Sequence, residues 1–238
     1  MFLTFKKWTL LYIICLVLLF AGFAAILWQG SAAQASKNLV LRGGTVLVID
    51  AGHGGEDGGA VAADGTVESQ INLAVALQME EIARLLGVET EMTRRTDISI
   101  HSEEAETLRQ KKVSDLKNRV ALINSVPNGI LVSIHQNSMP TAPKVHGAQV
   151  FYNQAEGSEA LALAVQDALN SSVNQPDSAK TAKRIGDSIY LMKNVTVPAV
   201  LVECGFLSNP QETAALNTEA YQTKLAVTIL AAALTHVQ

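Results

Sequence analysis

The segment at 45–60, TVLVIDAGHGGEDGGA, constrains the fold of this chain more than any other. The apolar run from Val46 to Ile49 ends at Asp50, and the glycine-rich residues that follow contain one histidine, His53. Glycine permits tight backbone turns that other residues resist, and open α/β sheets bind ligands at the carboxyl ends of their strands. The pattern therefore predicts a buried strand and a turn that presents an imidazole at the edge of a sheet.

Helical and strand patterns alternate after this turn. Residues 67–87 carry apolar side chains at helical spacing and end on a glycine, and residues 88–93 alternate as a strand does. Strand, helix and strand in this order predict parallel strands joined by right-handed crossovers. We therefore expect an α/β fold, namely a single domain with a mostly parallel twisted sheet flanked by helices on both faces.

The same periodicities predict the remaining elements. Strands are expected at 130–135, 148–152, 189–192 and 198–203, helices at 114–125, 158–173 and 219–237, and loops at 98–112, or the front of a helix there, and at 174–181. Hydrophobic residues make up 48% of the 238 residues and charged residues 17%, which excludes a disordered chain. The net charge of −4 provides no strong basic field, so no nucleic-acid partner is predicted.

The N-terminal segment has a different character. An uncharged apolar run from Trp8 to Trp28 follows two lysines; it is long enough to span a bilayer, and its basic flank is expected to stay cytoplasmic. A cleaved signal peptide is the alternative, because residues 33–35 form an A-x-A pattern. We predict a membrane anchor or signal peptide at 1–35, a linker at 36–45 and one folded domain at 46–238, exported in either case.

Three predicted strands end on or just before ionisable residues, which are His53, His135 and Glu203. Since parallel strands place their carboxyl ends at one edge, these side chains are expected to be neighbours. With Glu68 from the first helical turn, the two imidazoles form the His₂Glu donor set of a catalytic zinc site, whose fourth position is left to water. Glu203 is then free to take a proton from water and pass it to a leaving amine. The pattern predicts hydrolysis of an amide or ester.

Taken singly, each of these residues has an ordinary structural explanation. A histidine at the end of a strand is commonly a hydrogen-bonded surface group, and Glu68 in a first turn favours the helix dipole. Glu203 is different, because an unpaired carboxylate inside the apolar PAVLVECGF is costly to bury. Cys204 is not expected to be a nucleophile, because successive strand residues point to opposite faces, and we expect no disulfide between it and Cys15.

Several polar residues lie near these strand ends. Arg94 follows a strand and either grips an anionic substrate or forms an ion pair that fixes its loop. Asn137 either offers its amide to a substrate or holds the turn after the strand. The three remaining histidines are expected to be exposed and outside the site; they are His101, His146 and His236.

These residues lie in motifs that resemble the zinc-dependent N-acetylmuramoyl-L-alanine amidases of bacterial cell-wall metabolism. The motifs are IDAGHGGEDGGA at 49–60, the glutamate at 68, MTRRTD at 92–97, LKNRVALIN at 116–124, SIHQN at 133–137 and PAVLVECGFLSNP at 198–210. The resemblance implies one Zn²⁺ per chain held by His53, Glu68 and His135, with Glu203 as the catalytic residue. The implied reaction cleaves the amide between N-acetylmuramic acid and the L-alanine of the peptidoglycan stem peptide.

A narrower resemblance is to the germination-specific amidases of endospore formers, carried by residues 180–210, the charged loop and the N-terminal apolar segment. It implies a role in spore cortex maturation, coupled to a deacetylase that forms muramic δ-lactam, on the cell-wall side of the membrane. Gln136 stands where many family members carry a small residue, which leaves substrate preference open. The need for an activator protein is also left open. A zinc peptidase acting on the stem peptide and an inactive wall-binding protein are the alternative functions.

Overall fold

Six strands form one sheet in the computed structural model, which describes residues 44–236. In chain order they are β1 (Val46–Ala51), β2 (Thr90–Met92), β3 (Gly129–Asn137), β4 (Gln149–Tyr152), β5 (Lys183–Arg184) and β6 (Ala199–Phe206). Their order in the sheet is β2-β1-β3-β6-β4-β5. Neighbouring strands are parallel except β4 and β6. The predicted mostly parallel sheet is therefore confirmed.

The helices flank this sheet in two groups. They are α1 (Glu68–Leu85), α2 (Leu108–Ser125), α3 (Ser158–Ser172), α4 (Tyr190–Asn194), α5 (Pro210–Leu216) and α6 (Glu219–His236), with a 3₁₀ turn at Pro176–Ser178. Helices α1 and α3 each pack against α6, whereas α2 and α4 bury Ile123 and Leu191 against Val48 and Leu131. Because successive strand residues point to opposite faces, the fully buried Leu47 belongs to the other face, which the first group covers.

Local sequence explains where the main elements begin and end. All six residues of β1 are buried, as expected for a central parallel strand. Helix α1 buries Ile71, Val75 and Met79 at helical spacing, and Gly87 follows it in the left-handed conformation, with φ of 73°. Helix α2 begins behind a capping box in which Thr107 and Gln110 exchange side-chain and backbone hydrogen bonds.

The strand predicted at 189–192 is wrong, because α4 (Tyr190–Asn194) occupies this position. Its adjacent residues Leu191 and Met192 are both buried in the core cluster that contains Ile123, whereas a strand would direct them to opposite faces. The short elements β5 and α5 were not predicted. The segment at 98–112, predicted as a loop or the front of a helix, is a loop up to Thr107 and helical from Leu108, where α2 begins.

The predicted anchor or signal peptide at 1–35 lies outside the described residues, as does most of the linker at 36–45. Among residues 44–236, none of the helices combines the length and apolar character needed to cross a membrane.

The sheet places its functional strand ends side by side. His135 on β3 and Glu203 on β6 are register partners, and the register shifts between His135 and Asn137 through a bulge or irregularity. The backbone N–H of Gly52, just past β1, donates a 3.0 Å hydrogen bond to the carbonyl of Ile134. The carboxyl ends of β1, β3 and β6 are therefore adjacent, as the sequence predicts.

Candidate metal centre

Three predicted ligands converge at this edge. His53, Glu68 and His135 each offer one ligand atom, and these atoms all lie within 4.8 Å of one another. Glu68 Oε1 is 3.3 Å from His53 Nε2 and 3.0 Å from His135 Nδ1. The two imidazoles are arranged edge to face, with centroids 5.0 Å apart. Two imidazoles and a carboxylate at this spacing suit zinc, and no other such cluster occurs among the described residues.

The glycine turn places His53 by an unusual backbone conformation. His53 has φ of 61°, in the left-handed region that non-glycine residues seldom adopt. Such a residue costs of the order of 1 kcal/mol or more and persists when its surroundings fix it. Gly52 leaves room for the imidazole of His135, since a Cβ at that position would overlap the ring. Gly59 likewise faces Glu68, whose Oε2 would lie 2.5 Å from an added Cβ.

Glu68 is held by the backbone around it. Its Oε2 accepts a 2.8 Å hydrogen bond from the backbone N–H of Ala60, and its Oε1 accepts one of 3.1 Å from that of Gln136. Burial disfavours the carboxylate, but hydrogen bonds with His135 and His53 outweigh burial and hold the pKa of Glu68 well below its usual range. Glu68 is therefore ionised, as a ligand must be.

Asp57, which sequence reasoning missed, orients His53. Its Oδ2 lies 3.0 Å from His53 Nδ1 and 3.1 Å from Lys112 Nζ. This contact occupies Nδ1 and turns Nε2 toward Glu68, as carboxylates behind ligating histidines commonly do. Burial lowers the pKa of His53, but hydrogen bonds to Asp57 and Glu68 prevail and raise it to about 9. A carboxylate four residues after a histidine in a tight turn was the available signal.

Glu203 lies beside the ligands, and one of its two carboxyl oxygens makes no hydrogen bond within residues 44–236. Its Oε2 is buried and has no hydrogen-bond partner among the described residues. Burial raises the pKa of Glu203 to about 7; His135 opposes this rise and Glu68 adds to it. The carboxyl can thus gain and lose a proton near neutral pH. Cys204 is fully buried, and burial raises the pKa of its thiol above its usual range, so it is not an activated nucleophile.

A buried ion-pair network lies directly behind the turn. Arg119 places Nη1 2.6 Å from Asp50 Oδ1 and Nε 2.7 Å from Asp115 Oδ2. Asp50 also accepts hydrogen bonds of 2.6 Å from Ser133 and 2.8 Å from Thr93. Burial alone would raise the pKa of Asp50, but Arg119 and Ser133 lower it to about 2. Sequence reasoning missed Arg119, although its spacing of three from Leu116 and four from Ile123 places it on the buried face of α2.

Of the two roles predicted for Arg94, its position fits an ion pair that fixes its loop, with Nη1 4.0 Å from Asp97 Oδ1, better than a substrate contact. Its side chain is fully buried, and its guanidinium donates hydrogen bonds to four backbone carbonyls, those of Ala51, Gly52, Ser69 and Thr96. Arg94 therefore stabilises the glycine-rich turn after β1 through buried hydrogen bonds. Asn137 accepts a 2.8 Å hydrogen bond from the backbone N–H of Ser138, which holds the turn, and its contact with substrate stays a prediction.

The other histidines lie outside the cluster. His101 and His146 are partly buried rather than exposed, and they hydrogen-bond Ser99 and the carbonyl of Lys144, respectively. The side chain of His236 is outside the described residues.

A cavity of about 390 Å³ opens over the ligands. His53, Glu68, His135 and Glu203 line it together with residues from both flanking helices, including Lys112 on α2 and Tyr190 on α4. Tyr190 is 40% exposed, so the lining includes an aromatic ring as well as an ammonium group.

Comparison with known proteins decides the family. The family model described as N-acetylmuramoyl-L-alanine amidase matches residues 47–235, which include the three candidate ligands and Glu203. The chain belongs to the N-acetylmuramoyl-L-alanine amidase family. Among curated relatives of this amidase, the germination-specific N-acetylmuramoyl-L-alanine amidase of Bacillus subtilis is 39% identical over 187 residues, covering 78% of this chain and 77% of the relative.

Solved structures agree with this assignment. The amidase resembles the CwlD amidase from Clostridioides difficile, which was solved in complex with the GerS lipoprotein. The TM-score is 0.75 at 37% identity, covering 81% of this chain and 98% of that one. An N-acetylmuramoyl-L-alanine amidase from Clostridium difficile 630 has a TM-score of 0.68 at 27% identity, with 80% and 95% covered. The amidase is thus similar in both sequence and fold to cell-wall hydrolases.

Proposed function

We propose that this amidase hydrolyses the amide between N-acetylmuramic acid and the L-alanine of the stem peptide by a zinc-dependent mechanism. The observation that carries the zinc proposal is the convergence of His53, Glu68 and His135 within 4.8 Å, beside a carboxyl oxygen of Glu203 that has no partner among the described residues. Two imidazoles and one carboxylate form a donor set typical of catalytic zinc. Bound there, zinc would supply Lewis-acid chemistry, polarising a carbonyl oxygen and lowering the pKa of water.

Glu203 carries the proton transfers. Its Oε2 is free to accept a proton from the attacking water as a new C–O bond forms at the lactyl carbonyl carbon. The same oxygen then gives the proton to the nitrogen of L-alanine as the C–N bond breaks. A pKa near 7 suits both steps, because the group must gain and lose a proton in each cycle. The products are a free carboxylate on the glycan and a peptide with a free amino terminus.

Other residues around the site orient the ligands or are placed to bind the substrate. Asp57 keeps Nε2 of His53 directed into the site, and the buried Arg119 network supports the turn behind it. Lys112 is placed to attract carboxylates of the stem peptide, and Tyr190 offers an aromatic surface to a sugar ring. Asn137 remains a candidate contact for substrate amides.

We also propose a role in spore cortex maturation. Similarity to a germination-specific relative and to a relative solved with a lipoprotein supports this role and an activator partner. The deacetylase that forms muramic δ-lactam would act on the glycan product. Residues 1–35 would form the anchor or signal peptide, residues 36–45 the linker and residues 46–238 the catalytic domain, which faces the cell wall or is secreted after cleavage.

The test is digestion of purified peptidoglycan by the full chain in detergent, with chelator and then with restored zinc. We expect free stem peptides that begin with L-alanine, identified by mass spectrometry, to disappear with chelator and return with zinc. Peptides beginning at a later residue would identify a zinc peptidase instead. Intact glycan-linked peptides from both vegetative and cortex peptidoglycan, despite bound zinc and candidate activators, would indicate an inactive wall-binding protein.

A further inference from the structure

The side chain of Gln136 lies behind the ligand set. It follows His135 on β3 and is only 3% exposed. Its Nε2 donates a 3.2 Å hydrogen bond to Oδ1 of Asn72, a fully buried residue of α1. Both amides are shielded from water, so each depends on hydrogen bonds within the protein.

Asn72 in turn hydrogen-bonds a member of the ligand set. It lies one helical turn after Glu68, and its Nδ2 donates hydrogen bonds of 3.3 Å to Glu68 Oε1 and 3.1 Å to the carbonyl of Gly52. It therefore joins the ligating carboxylate to the residue that precedes His53. Both acceptors require an N–H donor from Asn72.

The amide of Asn72 has two orientations that differ only in the exchange of oxygen and nitrogen. If Oδ1 faced Glu68 and the Gly52 carbonyl, oxygen would oppose oxygen at both contacts. Glu68 and the Gly52 carbonyl therefore favour the orientation in which Nδ2 faces them, and Oδ1 of Asn72 is then free to accept from Nε2 of Gln136. Gln136 thus adds a third contact that stabilises the orientation in which Nδ2 of Asn72 meets the carboxylate.

We propose that Gln136 is a positioning residue of the metal centre, which acts through Asn72 to hold Glu68 against His135. The inference rests on the proposed zinc site. The backbone N–H of Gln136 also donates to Glu68 Oε1, at 3.1 Å. The residue therefore fixes the carboxylate twice, once directly and once through Asn72. A small side chain at 136 would keep the first contact and lose the second.

The experiment measures zinc affinity of the full chain by competition with a chromophoric chelator. Gln136→Met keeps the volume of the side chain and removes the amide. The matched control is Gln166→Met, because Gln166 is 1% exposed and also joins two elements, through Val150 and Ala148. We expect zinc affinity to fall at least about tenfold in Gln136→Met and to stay within about twofold of wild type in the control.

Asn72→Ala and the double variant show whether Gln136 acts through Asn72. We expect Gln136→Met to weaken zinc binding no further once Asn72 is removed, because coupled residues are non-additive. Gln136→Leu replaces Gln136→Met should the latter not fold.

An unchanged zinc affinity in Gln136→Met, or full additivity with Asn72→Ala, would overturn the inference. Peptidoglycan cleavage by the same wild-type preparation separates the two proposals. Coupled loss of zinc affinity without cleavage would support this inference and contradict the amidase mechanism, whereas absence of zinc binding by wild type would overturn both.

Discussion

Arg119 donates a 2.6 Å hydrogen bond from Nη2 to the backbone carbonyl of His53. The carbonyl belongs to a residue with φ of 61°, so a buried guanidinium on α2 supports the strained turn that carries a ligand. The same guanidinium binds Asp50 and Asp115. One side chain therefore connects the end of β1, the first helix after β2 and the candidate metal centre.

Arg119→Lys tests this connection. Lysine keeps the charge but has one nitrogen, which cannot reach Asp50, Asp115 and the His53 carbonyl together. We expect the free energy of unfolding to fall by about 3 kcal/mol, as for a broken buried ion pair, and zinc affinity to fall with it. Urea unfolding with chelator and zinc competition measure the two effects. The exposed Arg84→Lys is the control, and equal effects of both variants would contradict the proposed support.

Asp57→Asn should change the proton balance of metal binding. The hydrogen bond to Asp57 helps to raise the pKa of His53 to about 9, so His53 is protonated at pH 7.5 and must lose a proton to become a ligand. Removing the carboxylate charge lowers that pKa, and fewer protons should be released on zinc binding. Calorimetry in buffers of different ionisation enthalpy counts them. Asp64→Asn, at an exposed position, should release as many protons as wild type.

Glu203→Gln should separate binding from turnover. Glutamine keeps the shape of the side chain but cannot accept and return a proton, so we expect kcat to fall by about 10²–10⁴. Zinc affinity should stay close to wild type because Glu203 is not one of the three ligands. Peptide release and zinc competition are measured on one preparation, with the exposed Glu219→Gln as control. A near-normal rate would show that Glu203 has another role.

Gly52→Ala should damage the site by steric overlap alone. The added Cβ meets the imidazole of His135, whereas Gly186→Ala places its Cβ where no heavy atom lies within 4 Å. We expect the first variant to lose zinc affinity and peptidoglycan cleavage and the second to keep both. Circular dichroism establishes that each variant is folded. Retention of zinc by folded Gly52→Ala would mean that His135 can move aside and still bind.

Asp50 should contribute to the acid stability of the fold. Its pKa is about 2 in the folded protein against 3.8 ordinarily, so its contribution is present above about pH 4 and is lost as the pH falls toward 2. The contribution is about 2 kcal/mol. The difference in unfolding free energy between wild type and Asp50→Asn should therefore narrow by about that amount between pH 4 and pH 2, measured with chelator. A constant difference would show that Asp50 does not hold this pKa.

The sequence predicted the long elements because their periodicity is unambiguous. β1 and α1 lie within a few residues of their predicted bounds. The 189–192 segment has too few residues to distinguish one helical turn from a strand, and its packing against Ile123 decides the outcome. Local pattern carries no information about that contact.

The site shows the same division. His53, His135 and Glu203 were predictable because parallel strands bring their carboxyl ends together, and a glutamate in an apolar strand requires an explanation. Glu68 was identified from its place in the first turn of the next helix and from the family resemblance. The contact made by Arg119 was not predictable, since this residue lies 66 positions from the carbonyl it supports. Asp57 acts through a turn whose geometry sequence does not specify. Supporting residues depend on tertiary contacts, whereas the two histidine ligands lie at strand ends that the sequence locates.

The parallel pairing of β1, β3 and β6 also determines when the metal centre can form during folding. Parallel neighbours cannot be joined by a hairpin, so each pairing closes a long loop and forms slowly. His53, Glu68 and His135 meet only once β1 and β3 have paired and α1 has packed on them. An ion that binds this late arrangement would act mainly on the unfolding rate, not the folding rate. Metal loading would therefore prolong the lifetime of the native state without guiding the chain toward it.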